Sequence, residues 1–179
     1  HWRKGPGMDF LERIKGWFKG IEIIAEDLGI LTDEVRQLLK DSGFPGMKVL
    51  EFAFDNSRTS DYLPYKYDKN CVCYAGTHDN ATLKEWKETG DKAEIAFAKE
   101  YFGITGRSSF NFGIIKGGMA STADLFITQM QDYLELGKEA RTNVPGVADG
   151  NWKWRMKKGA ATDKLAEKIA HITEMYGRA

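Results

Sequence analysis

The sequence lacks most of the features that assign a chain to a specialised class of protein. Its only cysteines are Cys71 and Cys73, too few for a disulfide-stabilised domain and typical of a reducing compartment, so we expect a cytoplasmic protein. Lys and Arg together equal Asp and Glu at 26 each, and this zero formal net charge indicates neither a nucleic acid nor an anionic membrane as partner. No apolar run approaches the roughly 20 residues that cross a bilayer, and no signal-peptide pattern follows the first residues.

The cysteine pair itself predicts two buried thiols. Residues two apart on a strand point to the same face, where neighbouring side chains have poor geometry for a disulfide. A lone Cys-x-Cys, with no second cluster of Cys or His, is weak support for a metal site, and we expect none.

Composition predicts one ordinary globular domain. The chain has 179 residues, of which 42% are hydrophobic and 29% charged, enough for a sizeable core. The first residue is His rather than Met, and we expect a fragment or a processed product of a longer protein.

Hydrophobic periodicity predicts an α/β fold. Apolar runs indicate four strands, over 21–25, 47–54, 71–75 and 124–128, and helical stripes separate each strand from the next. This alternation is typical of a parallel sheet with crossover helices, and four such units are half of a (β/α)₈ TIM barrel. A small doubly wound sheet is the competing architecture, but no Gly-rich phosphate-binding string follows any predicted strand.

Acidic side chains follow two of the predicted strands. Glu26 and Asp27 come directly after the first strand, and His78 and Asp79 follow the third. In a barrel these strand ends form the catalytic face, so we expect Glu26 and Asp79 to converge to within about 10 Å. Burial after an apolar strand would raise the pKa of Glu26 and suit it to general acid and base catalysis. Structural alternatives stay open: one member of the Glu26–Asp27 pair supporting a loop, Asp79 capping a helix, and His78 bonding to backbone.

Five strings in the same order make the sequence resemble one family, the 4-alpha-glucanotransferases (amylomaltases or disproportionating enzymes) of glycoside hydrolase family 77. Any one of these strings would be weak, but five in order are specific. They are Ile24-Ala25-Glu26-Asp27-Leu28-Gly29, Gly43-Phe44-Pro45-Gly46-Met47-Lys48-Val49-Leu50, Gly76-Thr77-His78-Asp79-Asn80, the pair Gln131-Asp132 with Gly137-Lys138-Glu139-Ala140-Arg141, and Gly150-Asn151-Trp152-Lys153-Trp154-Arg155.

The resemblance implies a (β/α)₈ barrel that transfers α-1,4-glucan segments between maltooligosaccharides by retaining double displacement, without metal or organic cofactor. It implies that Glu26 is the acid/base and Asp79 the carboxylate that stabilises the transition state. The resemblance implies substrate contacts at four further positions: His78, Asp27, Asn143 and Asn56. The match at Asn56 is loose.

One element of the family pattern is absent from the sequence. The family's nucleophilic Asp lies in an Arg-x-Asp-His-Phe-Arg-like string, and no such string occurs here. We therefore expect residues 1–179 to be the C-terminal half of the catalytic barrel, strands 5–8 with the terminal helix, separated from an N-terminal half. The isolated chain should be inactive, with open sheet edges that favour self-association and core-facing residues such as Val49, Phe52 and Val72 partly uncovered. The alternatives are an inactive remnant, a weak glucan-binding half-barrel, or part of an α-amylase-type hydrolase.

Aromatic residues near the predicted strand ends have two interpretations. Trp152 and Trp154 alternate with charged residues, and we favour packing at the barrel end over sugar stacking. The loop residues Tyr62, Tyr65 and Tyr67 have the same alternatives, with packing again preferred.

Overall fold

The computed structural model describes residues 3–106 and 108–179. Its sheet has three parallel strands in the order β1-β2-β3: β1 (Gly46–Val49), β2 (Cys71–Tyr74) and β3 (Leu125–Ile127). The helices of the described residues are α1 (Met8–Trp17), α2 (Asp33–Ser42), α3 (Leu83–Thr89), α4 (Lys92–Tyr101), α5 (Phe110–Met119), α6 (Met130–Tyr133) and α7 (Asp163–Met175). The predicted α/β fold with parallel strands is confirmed.

The register of the sheet aligns the carboxyl ends of all three strands. Met47 pairs with Val72, and Val72 pairs with Leu125. The strands therefore end together at one edge, and the loops that follow them meet there. Because parallel strands run in one direction, this edge is where the polar residues that follow each strand can form one site.

The predicted strand over 21–25 does not form, so the expected count of four strands is wrong for this chain. In this segment only Ala25 bonds to the residues next to β1, through its N–H, which donates to Pro45 O at 2.9 Å. Pro45 has no N–H and so cannot donate the second hydrogen bond of a strand pair. The next donor, Met47 N, bonds instead to the side chain of Asp27 at 2.6 Å. A carboxylate therefore takes the place of a backbone acceptor, and the segment stays extended without joining the ladder.

The core forms between the sheet and the helices on the C-terminal side of the chain. Cys73, Leu83 and Ile114 are fully buried in the core. Seven of the ten residues of α5 are buried as well. Side-chain caps start four of the helices, as the sequence pattern predicts for α7 at Thr162. By contrast, α1 forms with no buried residue, and its apolar stripe is left open.

Burial of the strand residues partly confirms and partly corrects the expectations. Cys71 and Cys73 are free and buried, as predicted, and burial raises the pKa of their thiols to about 11 and about 12. Val49 and Val72 are covered, at 0% and 2% exposed, so the expectation that they would be partly open is wrong. Phe52 follows β1 and is 42% exposed, in line with the expectation.

Candidate active site

A cleft of about 880 Å³ opens at the carboxyl edge of the sheet. The loop after β2, residues 76–80, forms one wall, and the segment that carries Glu26 forms another. Thr128 and Gln129, which follow β3, line it as well. Within the described residues, Glu26 and Asp79 are the only carboxylates of its lining, and the structure thus brings both predicted catalytic residues to one cleft.

One carboxylate oxygen of Asp79 accepts a hydrogen bond from Asn143 and has the His78 ring close by. Asn143 Nδ2 donates to Asp79 Oδ1 at 2.6 Å, and His78 Nε2 lies 3.2 Å from the same oxygen. Asn143 N also donates to His78 O at 3.1 Å, so backbone and side chain both join the two segments. The second carboxylate oxygen has no hydrogen bond within the described residues, and about half of the Asp79 side chain is exposed.

Trp152 forms the outer face of this group. Its ring lies 4.9 Å from the His78 ring, and 57% of the residue is exposed. Trp152 is therefore not the buried anchor that we favoured from sequence, although one side of its ring contacts His78; its backbone has a left-handed φ of 61°. An exposed indole beside an imidazole offers an apolar surface of the kind that covers a sugar ring.

The loop over 76–80 is held by its own side chains. Asn80 Oδ1 accepts from both Thr77 N, at 2.9 Å, and Thr77 Oγ1, at 2.7 Å. Gln129 Nε2 donates to Thr77 O at 3.0 Å, which joins this loop to the one after β3. Thr142 Oγ1 in turn donates to Gln129 Oε1 at 3.2 Å. A continuous chain of hydrogen bonds thus orients the three loops around the cleft.

Glu26 reaches the cleft from the extended segment before α2. Burial, with the Glu26 charge as a smaller cause, raises the pKa of Tyr74, which ends β2 and lines the same cleft. Glu26 itself is exposed in this chain. The expected burial after an apolar strand is therefore wrong here, because the strand before Glu26 does not join the sheet.

Asp27 and Asn56 do not line the cleft in the described part of the chain. The carboxylate of Asp27 accepts from Met47 N and lies against Gly46, where an added Cβ would be 2.8 Å from Asp27 Oδ2. The structural role that we expected for one member of the Glu26–Asp27 pair therefore belongs to Asp27. Asn56 lies in an exposed turn that follows Phe54.

A group of buried charges behind the cleft was missed at the sequence level. Glu51, Glu85 and Asp132 come from three distant segments. Glu85 Oε1 lies 3.6 Å from Arg141 Nη1, and the charges of Asp132, Arg141 and Glu85 all act on Glu51. Burial raises the pKa of Glu51 well above its usual range, the Asp132 charge raises it further, and the Arg141 charge opposes both. Burial also raises the pKa of Asp132 to about 6, against hydrogen bonds that lower it, the first of them from Leu83 N at 2.8 Å.

This group is incompletely hydrogen-bonded. Glu51 Oε1 and Glu85 Oε2 are buried and have no partner within the described residues. The raised pKa of Glu51 favours its protonated form, which relieves its repulsion with Asp132 and Glu85. Only the string containing Asp132 and Arg141 signalled these positions in the sequence, and it assigned them no role.

The other aromatic candidates are divided between surface and core. Tyr67 is buried and its hydroxyl donates to Tyr62 O at 2.7 Å, which confirms packing for this residue. Tyr65 is 69% exposed. Trp154 is half-buried, and its carbonyl accepts from Arg155 Nη1 at 2.7 Å.

The cleft between α4, α5 and α7 lacks, among its described residues, the carboxylates that glycosyl transfer needs. A second cleft of about 690 Å³ lies between α4, α5 and α7, and the described residues of its lining include no carboxylate. Over residues 3–106 and 108–179 there is no group of three or more His, Cys, Asp or Glu side chains arranged to hold a metal ion. The same residues contain no helix with the length and apolar character of a membrane span.

Comparison with known proteins agrees with this geometry. Residues 1–162 match the family model of glycoside hydrolase 77, described as 4-alpha-glucanotransferase. The chain is 49% identical over 99% of its length to a 4-alpha-glucanotransferase of Clostridium butyricum, of which it covers 37%. It is 39% identical over 99% of its length to that of Thermus thermophilus, again covering 37%.

A solved structure has the same fold over the whole chain. It is an amylomaltase from Streptococcus agalactiae in complex with acarbose, with a TM-score of 0.94 and 34% identity, and the chain covers 36% of it. The chain thus spans about a third of the length of the relatives it matches. The match over most of its residues and the similarity of fold lead to one conclusion: the chain belongs to glycoside hydrolase family 77, the 4-alpha-glucanotransferases.

Proposed function

We propose that residues 1–179 are the C-terminal part of the catalytic domain of a 4-alpha-glucanotransferase that acts on maltooligosaccharides in the cytoplasm. We call the complete protein the parent enzyme: this chain joined to an N-terminal half that supplies the other barrel strands and a nucleophilic Asp. In that barrel the segment over 21–25 gains a neighbouring strand, and Glu26 becomes covered.

The reaction we propose has two displacements. The nucleophilic Asp forms a bond to the anomeric carbon as the glycosidic bond breaks, and Glu26 gives its proton to the departing oxygen. The Glu26 carboxylate then takes the proton of an acceptor glucan hydroxyl, whose oxygen displaces the Asp. Two inversions retain the configuration of the anomeric carbon.

The other residues at the cleft bind the sugar, orient Asp79 or stabilise the transition state. Asp79 keeps its free oxygen beside the sugar ring, where a negative charge favours the cationic transition state of both steps. His78 and Asn143 orient that carboxylate through Oδ1. Trp152 covers a sugar ring at the entrance. The observation that carries this proposal is that Glu26 and Asp79 are the only carboxylates lining the cleft among the described residues.

The test is the Glu26→Gln variant of the parent enzyme, assayed with maltotriose. Removing the proton donor should lower disproportionation by about 10²- to 10⁴-fold. The thermal midpoint should stay near that of the wild type, because Gln keeps the size of the side chain. Glu22→Gln is the matched control, since Glu22 is an exposed acid on the same segment and does not line the cleft.

The products separate this proposal from its alternatives. Disproportionation of maltotriose gives glucose and longer maltooligosaccharides, whereas a hydrolase gives shorter sugars alone. Hydrolysis by the wild-type parent, absence of any turnover, or normal transfer by Glu26→Gln would each contradict the proposal.

A further inference from the structure

Arg141 connects two segments of the candidate site through one planar group. Its Nη2 donates to Asp79 O at 2.8 Å, and its Nε donates to Asn143 O at 3.0 Å. These carbonyls belong to the same two residues whose side chains are bonded to each other at 2.6 Å. Two groups therefore join Asp79 to Asn143. The Arg141 guanidinium bridges their backbone carbonyls, and the side-chain amide of Asn143 bonds to the carboxylate of Asp79.

The guanidinium is fixed from behind by negative charge. Arg141 Nη1 lies 3.6 Å from Glu85 Oε1, and the Glu85 side chain is only 8% exposed. Glu85 belongs to α3, whose first turn is set by its Thr82 cap and by Asp132, which accepts from Leu83 N. The guanidinium of Arg141 is thus held by a residue on the buried face of α3 rather than by side chains at the surface.

We propose that Arg141 is the positioning residue for Asp79, setting where its carboxylate faces the sugar; this rests on the function proposed above. Asp79 lies on a loop and about half of its side chain is exposed, so its own packing does not fix the carboxylate. The fork of Arg141 supplies that constraint through the backbone. Displacement of a reacting or stabilising group by about 1 Å can cost about 10²-fold in rate.

A purely structural role is the alternative, and the chain contains a matched control for it. Arg178 is also half-buried and holds backbone carbonyls with a fork: Nε donates to Met119 O at 2.7 Å, and Nη2 donates to Ser121 O at 2.9 Å and Ala123 O at 3.0 Å. It lies away from the cleft, at the end of α5. Lys in either position keeps the positive charge but cannot bond two carbonyls in the same planar geometry.

The experiment compares Arg141→Lys with Arg178→Lys in the parent enzyme, with thermal midpoints measured alongside kinetics on maltotriose. We expect Arg141→Lys to lower kcat by about 10²-fold and to change KM much less, since Asp79 acts on the transition state. Arg178→Lys should lower the thermal midpoint but keep kcat near that of the wild type. Equal losses of kcat in the two variants, or normal kcat in Arg141→Lys, would overturn the proposal.

A second measurement does not depend on activity. The Asn143 amide donates to His78 O, so its hydrogen exchange reports whether the two segments stay joined. Exchange at Asn143 should become faster in Arg141→Lys and stay unchanged in Arg178→Lys. Unchanged exchange in Arg141→Lys would overturn the positioning role, even if the parent enzyme proved inactive. Inactivity of the parent enzyme would by itself refute only the proposed function.

Discussion

Carboxylates near the cleft differ in how far water reaches them. Glu26 and Asp79 face the open cleft, whereas Glu51, Glu85 and Asp132 lie behind it with Arg141. Burial disfavours the charged forms of Glu51 and Asp132, and it is the largest cause of the rise in their pKa values. The buried carboxylates therefore support the loops, while the open ones are available to a substrate.

Asp132 should make stability depend on pH in a defined direction. Burial raises its pKa from 3.8 to about 6, so between these values the folded state holds a proton that the unfolded state has lost. The free energy of unfolding therefore falls as pH rises from 3.8 to about 6. Above this window Asp132 causes no further change with pH. Relative to Asp132→Asn, the wild-type parent enzyme should lose about 3 kcal/mol between pH 4 and pH 7.

Urea unfolding of both proteins at several pH values measures this difference. Asn suits the site because its oxygen can accept from Leu83 N and its amide can donate to Thr128 Oγ1, which contacts Asp132 Oδ2 at 3.2 Å. Asp124→Asn controls for removing a carboxylate from the surface. A stability difference between wild type and Asp132→Asn that stays flat from pH 4 to pH 7 would contradict the assignment.

Sequence reasoning finds the open residues of the site and misses the buried ones for a physical reason. Asp79 follows a strand inside a recognisable string, so its placement at the sheet edge can be predicted. Glu51 lies within an apolar run, and its environment depends on Glu85 and Arg141, which are distant along the chain. Nothing local in the sequence specifies that meeting, and the same holds for the use of Asp27 as a backbone acceptor.

At the scale of elements, α5 depends on glycines that let neighbouring side chains approach its backbone. A Cβ on Gly118 would lie 2.1 Å from Phe126 Cε2, and one on Gly117 would lie 2.1 Å from Phe102 Cε1. Both aromatic rings pack over the helix in place of a side chain. Helix propensity alone would favour Ala at these positions, so their packing determines which residue is tolerated.

Gly118→Ala should therefore destabilise the parent enzyme, by about 1–3 kcal/mol, because overpacking displaces Phe126 from the sheet. Gly16→Ala is the control: Gly16 lies near the end of α1 with no atom within 4 Å of an added Cβ, and this change should be neutral or gain up to about 1 kcal/mol. Chemical denaturation of the two variants gives both values. Stabilisation by Gly118→Ala would show that the helix and β3 are less closely packed than described.

Elements differ in how well their sequence specifies them. Helices carry their own signals: α2 ends just before Gly43, which has the left-handed backbone of a helix stop, and α7 begins just after Thr162, whose side chain caps its first turn. A strand needs a neighbour to form its ladder, and the segment over 21–25 has the apolar pattern of a strand but only one backbone hydrogen bond to Pro45. The missing strand is therefore a matter of pairing rather than of local preference.

At the scale of the whole molecule, uncovered apolar residues concentrate in the first part of the chain. Large hydrophobic side chains over 10–35 are well exposed, among them Trp17 at 70%, Ile21 at 62% and Ile30 at 104%. At the other edge of the sheet, Leu125 and Ile127 of β3 are exposed at 46% and 38%. Exposed apolar side chains of this kind favour contact with another polypeptide.

The isolated 179-residue chain should therefore be catalytically silent with maltotriose and should self-associate, because both its apolar N-terminal segment and the β3 edge are open to pairing. Size-exclusion chromatography with light scattering over a range of concentrations measures the association, beside an assay for glucose and longer oligosaccharides.

The double variant Ile21→Lys with Ile30→Lys should lower the average mass, since two charges enter the exposed apolar segment. The control variant Glu88→Lys, at another exposed position, should leave the average mass unchanged. A stable monomer at all concentrations would refute the self-association. Transfer of glucosyl units by the isolated chain would mean that a nucleophile lies within these residues.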